Sequence, residues 1–130
     1  MKCFTRKFIV LSFFLLTLFV FSSDVKAQDK MTVDQRITFK AGASSAIIKK
    51  QIRKGTSHQY RIRVREGQEM TVILTTGKQT SFTISNLIDG IIEGADGETM
   101  WKGMIGRTGD YYILIGTDTT ANYTLEVFIK

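Results

Sequence analysis

The sequence predicts an all-β protein: an antiparallel β-sandwich of about seven or eight short strands after an N-terminal signal peptide. Three observations carry this prediction. Beyond residue 27 the apolar residues recur with period two, as strands with one buried face require. Turn-forming residues interrupt them every 8–12 residues or so, the spacing of sandwich strands. No stretch after residue 27 repeats with a helical period. An up-and-down barrel is the architecture next in line.

Composition agrees and excludes much else. With no proline, eleven glycines, nine phenylalanines and 23% charged residues, the chain is neither collagenous nor a disordered linker. The 103 residues from 28 to 130 make one domain, which leaves no room for a multidomain enzyme or a cofactor-sized α/β fold.

The start of the chain reads as an export signal over residues 1–27. Lys2, Arg6 and Lys7 precede an uncharged, mainly apolar run from Phe8 to Phe21. At 14 residues, that run is short of the roughly 20 that a membrane-spanning helix needs. Val25-Lys26-Ala27 offers small residues at the −3 and −1 positions of a signal-peptidase site. Cys3, the single cysteine, precedes the run and would leave with the leader. The remaining domain would then lack a disulfide, a thiol nucleophile and any membrane span.

The elements follow in order. Ile37 and Phe39 open a first strand, ended by Ala41-Gly42-Ala43-Ser44-Ser45. A second runs from Ala46 to Ile52 with Ile48 and Ile52 inward, and Lys54-Gly55-Thr56-Ser57 turns the chain. Tyr60, Ile62 and Val64 then alternate with Arg61, Arg63 and Arg65. Glu66-Gly67-Gln68-Glu69 reads as a turn, and Met70, Val72 and Leu74 beyond it complete an expected hairpin. Thr75-Thr76-Gly77-Lys78 breaks the chain before Phe82 and Ile84. The stretch from Gly90 to Gly109 holds six of the eleven glycines and looks irregular. Tyr111 to Ile115, apolar throughout, suggests a strand covered on both sides. Tyr123, Leu125, Val127 and Ile129 form the last strand.

Charge is unevenly spread. Gln28 to Arg65 carries ten Lys/Arg against two Asp, and Glu66 to Lys130 four Lys/Arg against nine Asp/Glu. The molecule is therefore an electrostatic dipole if the fold keeps these segments apart, and a mosaic if strand pairing interleaves them. The export signal and the acidic second half both argue against nucleic acid.

Catalytic equipment is sparse. A Ser-His-Asp hydrolase needs a poised histidine, and the lone His58 sits in what reads as a polar turn. One histidine without cysteine cannot assemble a zinc site. Asp89, Glu93, Asp96, Glu98, Asp110 and Asp118 lie near glycines or turns, where solubility accounts for them better than paired-carboxylate catalysis. The acidic loop from Asp89 to Glu98 has oxygen ligands that suit calcium but not the spacing of a calcium loop. Gly103, Gly106 and Gly109 lack the strand-then-helix setting of a phosphate cradle and read as turn glycines. The chain is thus expected to act by binding, with no enzyme activity, metal or cofactor.

Arg61, Arg63 and Arg65 project three guanidinium groups from one strand face. They are either a charged face that guards a sheet edge against aggregation or a strip for an anionic envelope glycan.

From Ile37 to Lys130 the chain resembles the periplasmic inhibitors of goose-type (g-type) lysozyme and, more widely, pre-peptidase-like sandwich modules. The resemblance runs through Gly42 to Ser45, through Tyr60 and its strand leading into Gly67-Gln68, and through Thr108-Gly109-Asp110-Tyr111. It ends at Asn122-Tyr123-Thr124-Leu125-Glu126-Val127. In that family a Ser-Gly-x-Tyr loop enters the lysozyme cleft, so the resemblance implies partner contact at Thr108, Gly109, Asp110 and Tyr111. Thr108 retains the hydroxyl. Two departures stand out: Asp110 would repel a catalytic glutamate, and the loop from Gly116 to Asn122 is short and lacks basic residues. Without the resemblance, Thr108 to Tyr111 reads as a plain hairpin turn whose glycine permits positive φ. The resemblance implies a periplasmic or secreted lysozyme inhibitor; the alternative is a non-inhibitory module for envelope polysaccharide or protein. Open sheet edges are compatible with a monomer or a homodimer.

Overall fold

The computed structural model describes residues 30–77 and 79–130; the expected leader with Cys3, and Lys78, lie outside the described residues. Nine strands form: β1 Lys30–Arg36, β2 Ser45–Ile52, β3 Thr56–Val64, β4 Glu69–Thr76, β5 Thr80–Asn86, β6 Gly90–Glu98, β7 Met100–Met104, β8 Gly109–Thr117 and β9 Ala121–Ile129. They build a five-stranded sheet in the order β1-β3-β8-β5-β6 and a four-stranded sheet in the order β2-β9-β4-β7. The predicted two-sheet sandwich is therefore what the chain forms, with one or two strands more than expected. Pairing is antiparallel except for β1 on β3, which is parallel.

The alternating residues meet between the sheets. Tyr60, Ile62 and Val64 from β3 face Met70 and Val72 from β4, with Phe82, Ile84, Ile113, Ile115, Leu125 and Val127, all fully buried. Each such side chain contributes on the order of 1.5–3 kcal/mol by leaving water.

Several expectations are corrected. The first strand lies earlier than Ile37 and Phe39, because β1 is held by main-chain pairing along β3 and turns only Val33 toward the core. Ile37 follows β1: its N–H donates to the Arg61 carbonyl at 2.7 Å and its side chain is buried. The β3–β4 hairpin does not exist. Glu66-Gly67-Gln68 carries the chain across the sandwich, Gly67 at φ +85°, while the Gly67 N–H and the Gln68 carbonyl both pair with Ile105. Crossing is in fact the rule, and β5–β6 is the one hairpin among the described residues.

The stretch from Gly90 to Gly109 is not irregular but holds β6, β7 and the start of β8. Its inward positions are filled by Ala95 and partly by Trp101, so no aliphatic alternation marks it. Gly103 is not a turn residue. It lies beside the Trp101 ring, where a Cβ would come within 2.5 Å of the indole. Gly109 opens β8 without a positive φ. Finally, β8 is covered on one side only: Ile113 and Ile115 are buried while Leu114 is exposed on the outer face.

Candidate functional site

Because β3 ends where β8 begins, the crossover topology gathers four connections at one end of the sandwich. These are residues 37–44, 65–68, 87–89 and 105–108. The segment singled out by sequence lies there, in the last residue of the β7–β8 crossover and the first residues of β8, and not in a hairpin. Thr108 is exposed, and its Oγ1 accepts the Glu66 N–H at 2.9 Å. That leaves the hydroxyl hydrogen without an acceptor among the described residues. Asp110 is half-buried and takes a two-pronged ion pair from Arg36, whose Nη1 and Nη2 donate to Oδ1 and Oδ2 at 3.0 Å each. Such fork-to-fork pairs fix direction as well as charge. The Arg36 hydrogen bonds and field, with Arg63 and Arg61 behind them, hold the Asp110 carboxyl below its ordinary range; the same pair raises Arg36. The carboxylate that would have repelled an acidic cleft is thereby neutralised by a residue 74 positions away.

Tyr111 is placed differently from its loop neighbours. It is 2% exposed, with its ring in the core and its hydroxyl donating to the Arg107 carbonyl at 2.7 Å. It positions the loop from below. Arg107, in turn, pairs through Nε with Asp89 Oδ2 at 3.3 Å, which ties the crossover to the β5–β6 hairpin. Asn86 Nδ2 and Arg107 both bond the Asp89 carboxylate and hold it below its ordinary range. A cleft of about 270 Å³ lies between hairpin and crossover, lined by Asn86, Leu87, Ile88 and the run from Arg107 to Tyr112. Sequence reasoning missed Arg36, Leu87, Ile88, Asp89 and Arg107 as parts of this end. Leu87-Ile88 inside a turn was the one signal that could have found the tip.

The arginine ladder is also redrawn. Arg61 and Arg63 lie on β3, and Arg65 falls beyond it. Arg61 is half-buried with Nε 3.2 Å from Asp34 Oδ1. Arg63 stands opposite Asp110 in the β3–β8 register, so Arg61, Arg63 and Asp110 share the outer sheet face while Tyr111 points to the core. Strand order keeps the charge apart: β1, β2 and β3 lie at one edge of the sandwich, the acidic β6 at the other. The dipole is real.

His58 is not a turn residue. It is 3% exposed within β3, 2.6 Å by Nδ1 from the Tyr123 hydroxyl, which is 2.6 Å from the Tyr60 hydroxyl. Only the order Tyr60 to Tyr123 to His58, each donating to the next, gives both hydroxyl hydrogens an acceptor. This requires a neutral imidazole, and burial, with Lys50 nearby, lowers the His58 pKa. Burial likewise raises both phenols far out of reach of neutral pH. The trio is buried, His58 Nδ1 is engaged by Tyr123, and the ring borders a cleft shared with Thr32, Gln51, Arg53 and Thr56. No group of three His, Cys, Asp or Glu suited to a metal occurs among the described residues; Asp96 bonds Thr83 while Asp89 faces Arg107.

Two sheets joined by crossovers, with loops gathered at one end, define a β-sandwich. The chain is similar to the periplasmic inhibitor of g-type lysozyme from Aeromonas hydrophila (TM-score 0.70, 23% identity), covering 78% of this chain and 99% of that one. It is also similar to the corresponding Salmonella Typhimurium inhibitor (TM-score 0.58, 16% identity), over 75% of this chain and 98% of that one. A pre-peptidase C-terminal domain of Bacillus anthracis collagenase shares the architecture at TM-score 0.51 and 14% identity, over 75% of this chain and 94% of that domain. These likenesses show the fold. No family model and no curated protein sequence matches the chain.

Proposed function

We propose that this protein is an exported, non-enzymatic inhibitor of a g-type lysozyme, working in the periplasm or outside the cell by filling the enzyme's cleft with its Thr108–Tyr111 end. One observation carries the reading: the loop is braced from three sides and its acidic residue is neutralised. Glu66 fixes Thr108, Arg36 fixes Asp110, and Tyr111 fixes Arg107. A preorganised loop loses little freedom on binding, which favours affinity. A glycoside hydrolase cleft presents carboxylates. Thr108 can donate its hydroxyl hydrogen to one of them, and the Arg36–Asp110 pair approaches without net charge. Two of the neighbours in fold are lysozyme inhibitors and the third is a pre-peptidase C-terminal domain of a collagenase; the two inhibitors support the non-enzymatic part of the reading.

The arginine face supports a second reading, docking of an anionic envelope glycan. Arg63 and Arg65 are exposed and form no ion pair among the described residues. Arg36 and Arg61 are already matched by carboxylates, which weakens the strip. A cell-wall lysis assay separates the two. Stoichiometric inhibition of the g-type enzyme, and not of chicken-type or invertebrate-type lysozyme, is expected. Absence of inhibition, together with glycan binding that fades with salt and with Arg63→Glu, would favour the second reading.

A further inference from the structure

We infer that the tip of the β5–β6 hairpin, Leu87-Ile88, is a second, apolar anchor that seats against the wall of the same lysozyme cleft. This rests on the inhibitor reading above and extends it to residues that the family-like loop does not contain.

The tip is anomalous for a turn. Leu87 is 86% exposed and Ile88 71%, two adjacent large aliphatic side chains where polar residues are the rule. The turn does not need them. Asn86 Oδ1 accepts the Ile88 N–H at 3.0 Å and the Asp89 N–H at 2.6 Å, and Asn86 Nδ2 donates to Asp89, so Asn86 and Gly90, at φ +74°, shape the backbone without the two aliphatics. Exposed apolar pairs of this kind mark contact surfaces. The tip is also tied to the loop that carries Thr108. Arg107 links the two through Asp89, and Leu87, Ile88, Thr108, Gly109 and Asp110 all line the same cleft of about 270 Å³. Hairpin and crossover therefore advance on a partner as one surface: a hydroxyl, a neutralised ion pair and, beside them, an aliphatic wedge.

The occupant follows from that combination. Sites that bind sugar chains join polar groups to largely apolar walls, and a hydrolase adds acidic residues at their centre. Thr108 matches the acidic centre, which the neutralised Arg36–Asp110 pair does not repel, and Leu87-Ile88 matches the wall. A glycan strand alone would gain little from two bare aliphatics.

The test is the inhibition constant against g-type lysozyme for the wild type, for Leu87→Ser with Ile88→Ser, for Leu87→Ala, and for Leu114→Ser, an exposed apolar residue in mid-sheet. The double variant should weaken inhibition by about tenfold or more, Leu87→Ala by a smaller factor, and Leu114→Ser should not weaken it. All three should melt with the wild type. Wild-type inhibition with an unaffected double variant would overturn the anchor and leave the inhibitor reading standing. Failure of the wild type itself to inhibit would overturn both.

Discussion

Replacing Tyr123 by Phe removes one oxygen and breaks two hydrogen bonds, to His58 and to Tyr60. Tyr60 is left with a buried hydroxyl hydrogen and no acceptor, His58 with a buried ring nitrogen and no donor. A buried polar group stripped of its partner destabilises by about 1–3 kcal/mol. His58 borders a cleft shared with Thr32, Gln51, Arg53 and Thr56, through which water can relieve part of its loss, so the sum falls at about 2–4 kcal/mol. For a domain of this size that lowers Tm by at least about 8 °C. The relay makes a sharper claim about the double variant. Tyr60→Phe alone breaks one bond and leaves Tyr123 donating to His58, a loss of about 1 kcal/mol. Tyr60→Phe with Tyr123→Phe orphans only His58, so the double variant should be more stable than Tyr123→Phe alone. Thermal unfolding of the three variants decides this. Additive losses, or a Tyr123→Phe protein that melts with the wild type, would refute the relay.

Other predictions follow from the same contacts. Gly103→Ala drives a methyl group into the Trp101 ring and should destabilise by about 1–3 kcal/mol, with a shift in tryptophan fluorescence. Because the folded-state pKa of His58 is depressed, the unfolded chain takes up a proton that the fold refuses. Stability should therefore fall as pH drops below the ordinary value of 6.5, by up to about 1.4 kcal/mol per pH unit. His58→Gln, which keeps an acceptor but does not titrate, should flatten that window. Asp110, also depressed, should add a loss only below its ordinary 3.8, one that Asp110→Asn removes. Arg36→Ala should weaken lysozyme inhibition by baring the Asp110 carboxylate, and adding Asp110→Ala should restore it; no recovery would show that the pair does more than cancel charge. Tyr111→Phe should keep the core and lower inhibition, read from the inhibition constant against an unchanged far-ultraviolet spectrum.

Much of this molecule could be read from its residues. The alternation of Tyr60-Ile62-Val64, of Met70-Val72-Leu74 and of Tyr123 to Ile129 located β3, β4 and β9 because each strand buries one full aliphatic or aromatic face. β1 was missed because Lys30 to Arg36 is mostly polar and exposed, with only Val33 packed against the core, and is held mainly by pairing along β3 and by the Asp34–Arg61 and Arg36–Asp110 ion pairs. Glu66-Gly67-Gln68 could not reveal whether it returns a strand to the same sheet or passes it to the other, since the same turn chemistry serves both. β6 and β7 escaped because Ala95, Gly103 and Trp101 pack through one large ring and small residues, with no repeated aliphatics. Thr108 to Tyr111 could be singled out as a segment, but its setting could not. Arg36, Leu87 and Asp89 reach it from other strands, and only the crossed connections bring them to one end.

The central question is whether this end occupies the lysozyme cleft. Affinity of the purified protein for g-type lysozyme should be measured with and without a soluble cell-wall oligosaccharide that fills that cleft. Occlusion predicts direct competition, the apparent Kd rising in proportion to oligosaccharide concentration. An affinity indifferent to the oligosaccharide would put the contact elsewhere on the enzyme and contradict the mechanism.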